Sequence, residues 1–597
     1  MDIELQKQVN EAIATISQLS SLDLDLQNID PVAKMMLVAL VNETQKIHDY
    51  IDSIPQRLTE RFCSDFIPRQ QVEAMPAICL LHPMLKEKYN SALASIGSNA
   101  SFVFKCDEAK SPLTYIPIFN TSLLPHSGLY LLNQHYLRHG SDSIPVSMEQ
   151  PNILWVGVKT NAEVSCLKGL SMLIRGTGGM TPEHISVATT SAQELDFATM
   201  LEMENIEMAE PFDAQQASGT FFSLIDNWKT CLLNMQDAAL LYITDNIQDR
   251  DIFKPRQYPK GFQQWLESDI LDYFDHSTVW LRLEFPEGYQ VPDNCDIVLG
   301  VLPVTNIDVN SLTLTQNQPI AKLQKSSDSY FLGILETTVA NQRQGFNTTG
   351  ENIIIRDFDA QCYNNGHLYR DVRNLYNHFI DDYYAFIDYN GIKDGEVLRQ
   401  LRETINKLGK SVGLQNETFK FDSGTYVMMN MSQAPTSSTI RVSFITTLGR
   451  IGNTPREGDE MENKREPALE QKCPVLISAM GGTNKATVDE RYELLRYYAL
   501  TNDRLYTRMD IDAFLRKELL AEFGKEEFRR IFIKISIEGA GGGAVLQRGL
   551  YITIEFKDRK NYQHAVDMAF DKLMQQRIFN KSCISMPIIV CLKDLEE

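Results

Sequence analysis

Basic residues are in short supply. Lys and Arg number 57 against 78 Asp and Glu, a net charge of −21 over 597 residues. A nucleic-acid-binding body needs a cationic footprint to neutralise phosphates, and docking on anionic lipid needs the same. Both are excluded as the main role; a basic protein partner is not. Long apolar runs are also missing. The longest, such as Met35–Val41 and Ile588–Leu592, suit a buried core and fall far short of the roughly 18 residues a membrane span needs, so no direct membrane insertion is expected. The opening MDIELQKQVNEAIATI is acidic and amphipathic, where a secretory signal would be basic and then apolar. The ten cysteines are dispersed and form no CxxC pair, so reduced thiols in the core of a protein from a reducing compartment are expected.

The remainder is ordinary globular material. Hydrophobic residues make up 43% and charged residues 23%, which rules out a disordered chain. At roughly 150 residues per domain the length suggests about four domains. Leu5, Val9, Ile13 and Ile16 recur at helical spacing, and Asp30-Pro31 starts a second helix with a wide apolar face of Met35, Met36, Leu37, Val38, Leu40, Val41, Ile47 and Ile51. Residues 1–70 therefore read as a helical N-terminal module, part of whose apolar surface is available to another chain. Residues 71–250 read as a β-rich domain with a helical insertion at about 217–245 carrying Phe221, Leu224, Trp228, Leu232 and Ala239. Residues 251–454 read as a central α+β domain. Its clearest strand is Thr278–Phe285, where Val279, Leu281 and Leu283 alternate with Trp280, Arg282 and Glu284; two helices are expected at about 367–387 and 394–410.

Residues 455–470 carry the charged, proline-bracketed PREGDEMENKREP and read as a linker. Residues 471–597 give the order strand, helix, strand, strand, helix, strand: Cys473–Ser478, a helix opened by Thr507 with Asp510 at its third position, the alternations Ile531–Ile537 and Leu550–Phe556, Tyr562–Met574, and Met586–Leu592. That order predicts a split βαβ, ferredoxin-like domain. The fold class is thus α+β and multidomain.

No catalytic template has its context. Gly539-Ala540-Gly541-Gly542-Gly543-Ala544 satisfies GxGxx[GA], but a strand follows where a dinucleotide site needs a helix, so a hairpin loop is expected. Gly481-Gly482-Thr483-Asn484-Lys485 lacks the ending of a phosphate loop, and Arg175-Gly176-Thr177-Gly178-Gly179 reads as a turn. His135 and His139 could share a helix face, but the metalloprotease Glu is missing between them. GxSxG is absent. Acidic pairs such as Asp381-Asp382 and Asp357 with Asp359 act as acid and base only across a cleft of set width; on an acidic chain they read as solvated surface. No catalytic, cofactor-binding or metal residue is nominated, and no interface residue. The aromatics Tyr383, Tyr384 and Phe386 read first as core and second as contact surface. The alternatives to a structural role are a polymer-degrading enzyme, which would need a convergent acidic pair in a deep cleft, and a carbohydrate-binding or adhesin protein, which would need an export signal.

Four segments in order resemble the TssF-type baseplate subunit of bacterial type VI secretion systems. The first is 41–81, where helices lead into Phe66-Ile67-Pro68 and then Met75-Pro76-Ala77-Ile78. The second is Tyr258-Pro259-Lys260-Gly261-Phe262, similar to an "FPEKF" segment, ahead of the Thr278 strand. The third is Leu302-Pro303-Val304-Thr305-Asn306-Ile307 with Pro319-Ile320 downstream, similar to "PVVNLF…EPI". The fourth is Gln547-Arg548-Gly549-Leu550 with its closing helix. Cys79 and Ile307-Asp308 depart from that pattern and 340–470 shows no match, as in a divergent branch. The 505–515 stretch is also similar to phage baseplate wedge proteins. The resemblance implies a cytoplasmic structural protein without cofactor or reaction. It implies two copies joined to one TssG-type subunit as a wedge, wedges around a VgrG-type spike hub, links through TssK-type trimers, and a template for the sheath-initiating subunit and the sheath and tube that follow.

Overall fold

The computed structural model describes most of residues 65–594, and before them Val32, Met36, Leu40, Thr44 and Phe62; residues 177–184, 213–218, 345–352, 359–402, 405–423, 430–438 and 540–545 are among the stretches outside the description. The expected helices at 367–387 and 394–410, apart from helical positions 403 and 404, and the aromatics Tyr383, Tyr384 and Phe386 lie outside the described residues. The chain is mixed α+β and divides into two compact units, Ala74–Asn484 and a smaller one that joins Met1–Glu73 to Lys485–Glu597.

The larger unit is built around a closed six-stranded antiparallel barrel. Its strands are β1 (Ile78–Leu81), β2 (Phe102–Phe104), β3 (Leu113–Pro117), β4 (Leu302–Thr305), β5 (Glu460–Asn463) and β6 (Lys472–Met480), in the spatial order β1-β4-β3-β2-β5-β6. Strand alternation decides what fills it. Cys79, Leu81, Leu302, Val304, Leu113, Tyr115, Phe102, Met461, Cys473 and Val475 form one buried cluster. Ile78 and Leu80 belong instead to the neighbouring core, with Leu173, Trp228 and Tyr242. All four residues of β1 are therefore buried, which explains why that strand reads as an unbroken apolar run.

Two sheets flank one core. A seven-stranded sheet contains Ile153–Lys159 and Thr278–Glu284 at its centre, and a four-stranded sheet contains Ser171–Arg175 and Ala238–Ile243. Val279, Leu281 and Leu283 enter the cluster with Met172, Ile174, Leu241 and Ile297, as their alternation predicts. Trp280 points to the opposite face, among Phe262, Phe274, Trp155 and Tyr130. A second pair of sheets, one containing Ile440–Thr447 and the other Gly424–Met429, encloses Leu314, Ile334, Val427, Val442 and Phe444.

The smaller unit has helices α1 (Val488–Thr501) and α2 (Arg508–Phe523), strands β7 (Phe528–Gly539) and β8 (Leu546–Phe556), helices α3 (Arg559–Asp567) and α4 (Phe570–Lys581), and strand β9 (Ile588–Lys593). β7 and β8 pair antiparallel, and β8 and β9 parallel, in a three-stranded sheet. Ile533, Leu550, Ile552, Ile554 and Val590 lie in one buried cluster with Phe514, Leu519, Phe570 and Met574 of the helices.

Several expectations are corrected. The Cys473–Ser478 strand does not belong to a split βαβ domain; as β6 it pairs with β1 and β5 in the barrel. The C-terminal sheet consequently has three strands, and the unit starts at Lys485 rather than 471. The charged linker of 455–470 is no linker, because β5 lies inside it and Met461 is fully buried in the barrel. The division at residue 250 also fails, since β4 from beyond it completes a barrel begun by β1. The helix at 217–245 ends at Leu233, and Ala239 lies in the strand Ala238–Ile243. That continuous apolar run fits a fully buried strand as well as a helix. The module of 1–70 lies mostly outside the described residues.

Candidate assembly surfaces

The motifs considered for chemistry fall into structural places. His135 and His139 do not share a helix: His139 ends the strand Tyr136–His139, stacks on Tyr130 with ring centroids 4.4 Å apart, and shares a hydrogen bond between Nδ1 and the Leu129 oxygen at 3.1 Å. His135 approaches Gln290 Nε2 at 3.2 Å. Gly481 has φ +81°, and Gly482 exchanges two hydrogen bonds with the Asn453 side chain, each 2.8 Å. That glycine segment is a folded turn against the barrel. Arg175 ends a strand and its guanidinium donates to the Leu476 oxygen at 2.6 Å; Gly176 has φ +72°, and 177–179 lie outside the described residues. Residues 540–545 lie outside the description too, but the strands they connect pair through Gly539 and Leu546 as a hairpin. Asp381, Asp382 and Asp359 lie outside the described residues, as does the side chain of Asp357. No cluster of three or more His, Cys, Asp or Glu that could hold a metal occurs among the described residues. A cavity lined by Thr114, Asn306, Asp308, Ser329 and Thr447 has room of only about 20 Å³, the space of a single water.

The segments that carry the resemblance have tight roles. β1 and β4 pair in register, Ile78 opposite Thr305 and Leu81 opposite Leu302, so the first and third segments are neighbouring barrel strands. Asn306 is 2% exposed. Its main-chain N–H donates to the Ala77 oxygen at 2.8 Å, its Nδ2 donates to the Thr114 oxygen at 3.0 Å, and its Oδ1 accepts from Thr447 Oγ1 at 3.2 Å and Leu448 N at 3.1 Å. Phe262 of the second segment is fully buried, 5.1 Å from Trp280 and 5.2 Å from Trp155 between ring centroids. Gly549 of the fourth sits where a Cβ would stand 2.9 Å from the Pro587 oxygen.

Surface character divides unevenly. Thirteen of the twenty large apolar side chains that are exposed among the described residues lie in the smaller unit, which holds less than a third of the chain. Val32, Met36 and Leu40 are helical, one turn apart, and 61%, 69% and 64% exposed. Phe62 and Phe66, also one turn apart, are exposed with ring centroids 6.1 Å apart. Ile67, directly after them, is buried against Ala486 and Leu494. An exposed apolar row on a helix is surface awaiting cover.

The same unit holds a charge network. Glu518 accepts from Lys517 at 3.0 Å and from Arg577, and its side chain is 14% exposed. Burial pushes its carboxyl up, but Lys517 and Arg577 outweigh that and hold it at about 2. Lys517 also lies 5.0 Å from the centre of the Tyr497 ring.

Cysteines are as expected in part: Cys79, Cys231, Cys295 and Cys473 are buried, whereas Cys583 and Cys591 are exposed. Burial raises the Cys473 thiol to about 12, which keeps it protonated and inert. No helix among the described residues is long and apolar enough to cross a membrane.

No protein-family model matches the sequence, and no curated protein matches it. Among solved structures the chain is similar to a chain of the type VI secretion system TssK-TssF-TssG baseplate subcomplex, with 11% identity, a TM-score of 0.42, and coverage of 94% of this chain and 96% of that one. It is also similar to a chain of the anti-feeding prophage baseplate, with 9% identity, a TM-score of 0.26, and coverage of 98% and 70%.

Proposed function

We propose that this protein is a structural subunit of a contractile-injection baseplate, of the TssF type, and that it works by gripping neighbouring subunits rather than by catalysis. The observation that carries the proposal is the exposed apolar row of Val32, Met36 and Leu40, one helical turn apart. In an isolated protein such a row is a liability, whereas in an obligate assembly it is contact area; obligate interfaces are large, commonly about 2,000–5,000 Å², and apolar. The four segments that resemble the TssF family point the same way, and two of them, far apart in sequence, are adjacent strands of one barrel.

In this role two copies join one TssG-type subunit as a wedge. Wedges surround a VgrG-type hub, TssK-type trimers link them to the envelope, and the finished baseplate starts sheath and tube growth at the cytoplasmic face. No cofactor takes part. The test is co-expression with a TssG-type subunit, followed by native mass spectrometry. A 2:1 complex is expected, with the isolated chain poorly soluble or self-associated. A well-behaved monomer that ignores that subunit contradicts the proposal.

A further inference from the structure

The loop between α1 and α2 is held more firmly than a solvent loop needs to be. Asn502 and Asp503 both adopt left-handed backbone, φ 47° and 62°, a conformation that costs a non-glycine residue roughly 1 kcal/mol or more. Asp503 Oδ1 accepts from the Tyr497 hydroxyl at 2.8 Å and from Lys581 at 2.6 Å. Asp510 Oδ2 accepts from the main chain of Tyr506 at 3.0 Å and of Thr507 at 2.8 Å. Leu505 is fully buried and its N–H donates to the Lys581 oxygen at 2.9 Å, which fixes the loop beside the end of α4.

This frame holds large apolar side chains outward. Tyr506 is 63% exposed, Met509 68%, and Phe579 at the end of α4 61%. Aromatic residues, Met and Arg are the side chains enriched in interface cores. The local charge is also unusual for a chain of −21. Arg504 and Arg508 are exposed, while the loop's acids, Asp503 and Asp510, are taken up by the internal bonds just described. Arg504 hydrogen-bonds the Tyr506 side chain. Arg508 makes no ion pair among the described residues, and it stands in the first turn of α2, where the helix dipole repels a cation. Neither the exposed apolar atoms nor that arginine helps the unit to fold, and both suit a complementary surface.

We propose that Tyr506, Met509 and Phe579, flanked by Arg504 and Arg508, form a docking surface for a protein subunit that presents carboxylates around an apolar recess. The proposal rests on the baseplate reading for the existence of a partner, and adds the surface and the chemistry of what covers it. Charge complementarity selects the occupant: a cationic spot on an acidic protein attracts a neighbour's carboxylates, which also offset the unfavourable placement of Arg508 at the N-terminus of α2, and the helix dipole of α2 adds to the attraction.

The experiment uses the full chain carrying Met509→Cys, alone and in the complex co-expressed with TssG-type and TssK-type subunits. Maleimide labelling is followed peptide by peptide, with Cys591 as an internal reference. Labelling of the introduced thiol should slow at least tenfold in the complex. Arg504→Glu with Arg508→Glu should weaken the complex at least tenfold while leaving the thermal melt of the chain unchanged, since an acidic residue suits the first turn of α2. Equal labelling rates in free chain and intact complex would overturn the docking surface and leave the baseplate reading standing. Protection without any effect of charge reversal would overturn the acidic character of the partner. Protection already present in the isolated chain and growing with its concentration would assign the surface to a second copy and overturn the proposal. Failure of any complex to form would remove the baseplate reading, and this surface with it.

Discussion

The Thr305 hydroxyl donates to the main-chain oxygen of Ala77 at 3.1 Å, across 228 residues of chain. That bond lies where strands β1 and β4 pair, next to Asn306, whose side chain reaches Thr114, Thr447 and Leu448. One motif residue thus ties three separate parts of the barrel surroundings. Asn306→Ala leaves a buried carbonyl, a hydroxyl and an amide without their partner, at about 1–3 kcal/mol for each unsatisfied group. The expected loss of stability is about 3 kcal/mol or more, read from the urea midpoint with an unchanged slope. Asn306→Asp keeps the acceptor but loses the bond to the Thr114 oxygen, and should also destabilise.

Gly481 faces Cys231. A Cβ there would stand 2.1 Å from Cys231 Sγ, on a backbone with φ +81°. Gly481→Ala should therefore destabilise the larger unit through both clash and strain. Cys231→Ala should recover the clash part alone, so a double-mutant cycle should show coupling with incomplete rescue. Strict additivity would mean that the two positions do not meet.

Phe262 is the keystone of an aromatic cluster, with rings of Trp155, Trp280, Phe274 and Trp265 between 5.1 and 6.3 Å away. Phe262→Ala should cost about 3–5 kcal/mol, and should quench or shift the tryptophan fluorescence of the folded protein. Tyr258→Phe, at the rim of the same cluster, should change little.

Acid should destabilise the smaller unit. Glu518 has its carboxyl lowered from the ordinary 4.5 to about 2. A depressed carboxyl contributes stability above its unfolded value, and that contribution is lost as pH falls from about 4.5 toward 2. Glu518→Gln removes the titration and strands Lys517 and Arg577, with a loss of about 3 kcal/mol at neutral pH. Its melting temperature should then be flatter than the wild type's across that acid window, as measured by circular dichroism.

The sequence patterns were legible where the determinants are local. Val279, Leu281 and Leu283 alternate in sequence and line one core. Thr507 and Asp510 stand three apart and exchange the expected bonds, with Asp510 N donating to Thr507 Oγ1 at 3.2 Å. Long-range pairing was not legible. Met461 is the sole apolar residue in PREGDEMENKREP, yet it plugs the barrel, because β5 finds its partners at Phe102 and Lys472. Nothing within that stretch reports those partners. The strand at Cys473 was visible, but which sheet it joins depends on β1, some 400 residues earlier. The candidate surfaces were hidden for a related reason: an i, i+4 row such as Val32, Met36 and Leu40 has the same spacing whether it faces a core or solvent. The exposed patch at Tyr506 and Phe579 depends on two segments brought together by Leu505.

The most direct test of assembly as the function is native mass spectrometry of the full chain co-expressed with a TssG-type subunit, compared with the double variant Met36→Glu and Leu40→Glu. The wild-type chain should appear as a 2:1 complex. The variant should keep its circular dichroism and its melting temperature within a few degrees, yet lose the complex. A wild-type chain that stays monomeric beside that subunit, or a variant that assembles as well as the wild type, would contradict the account.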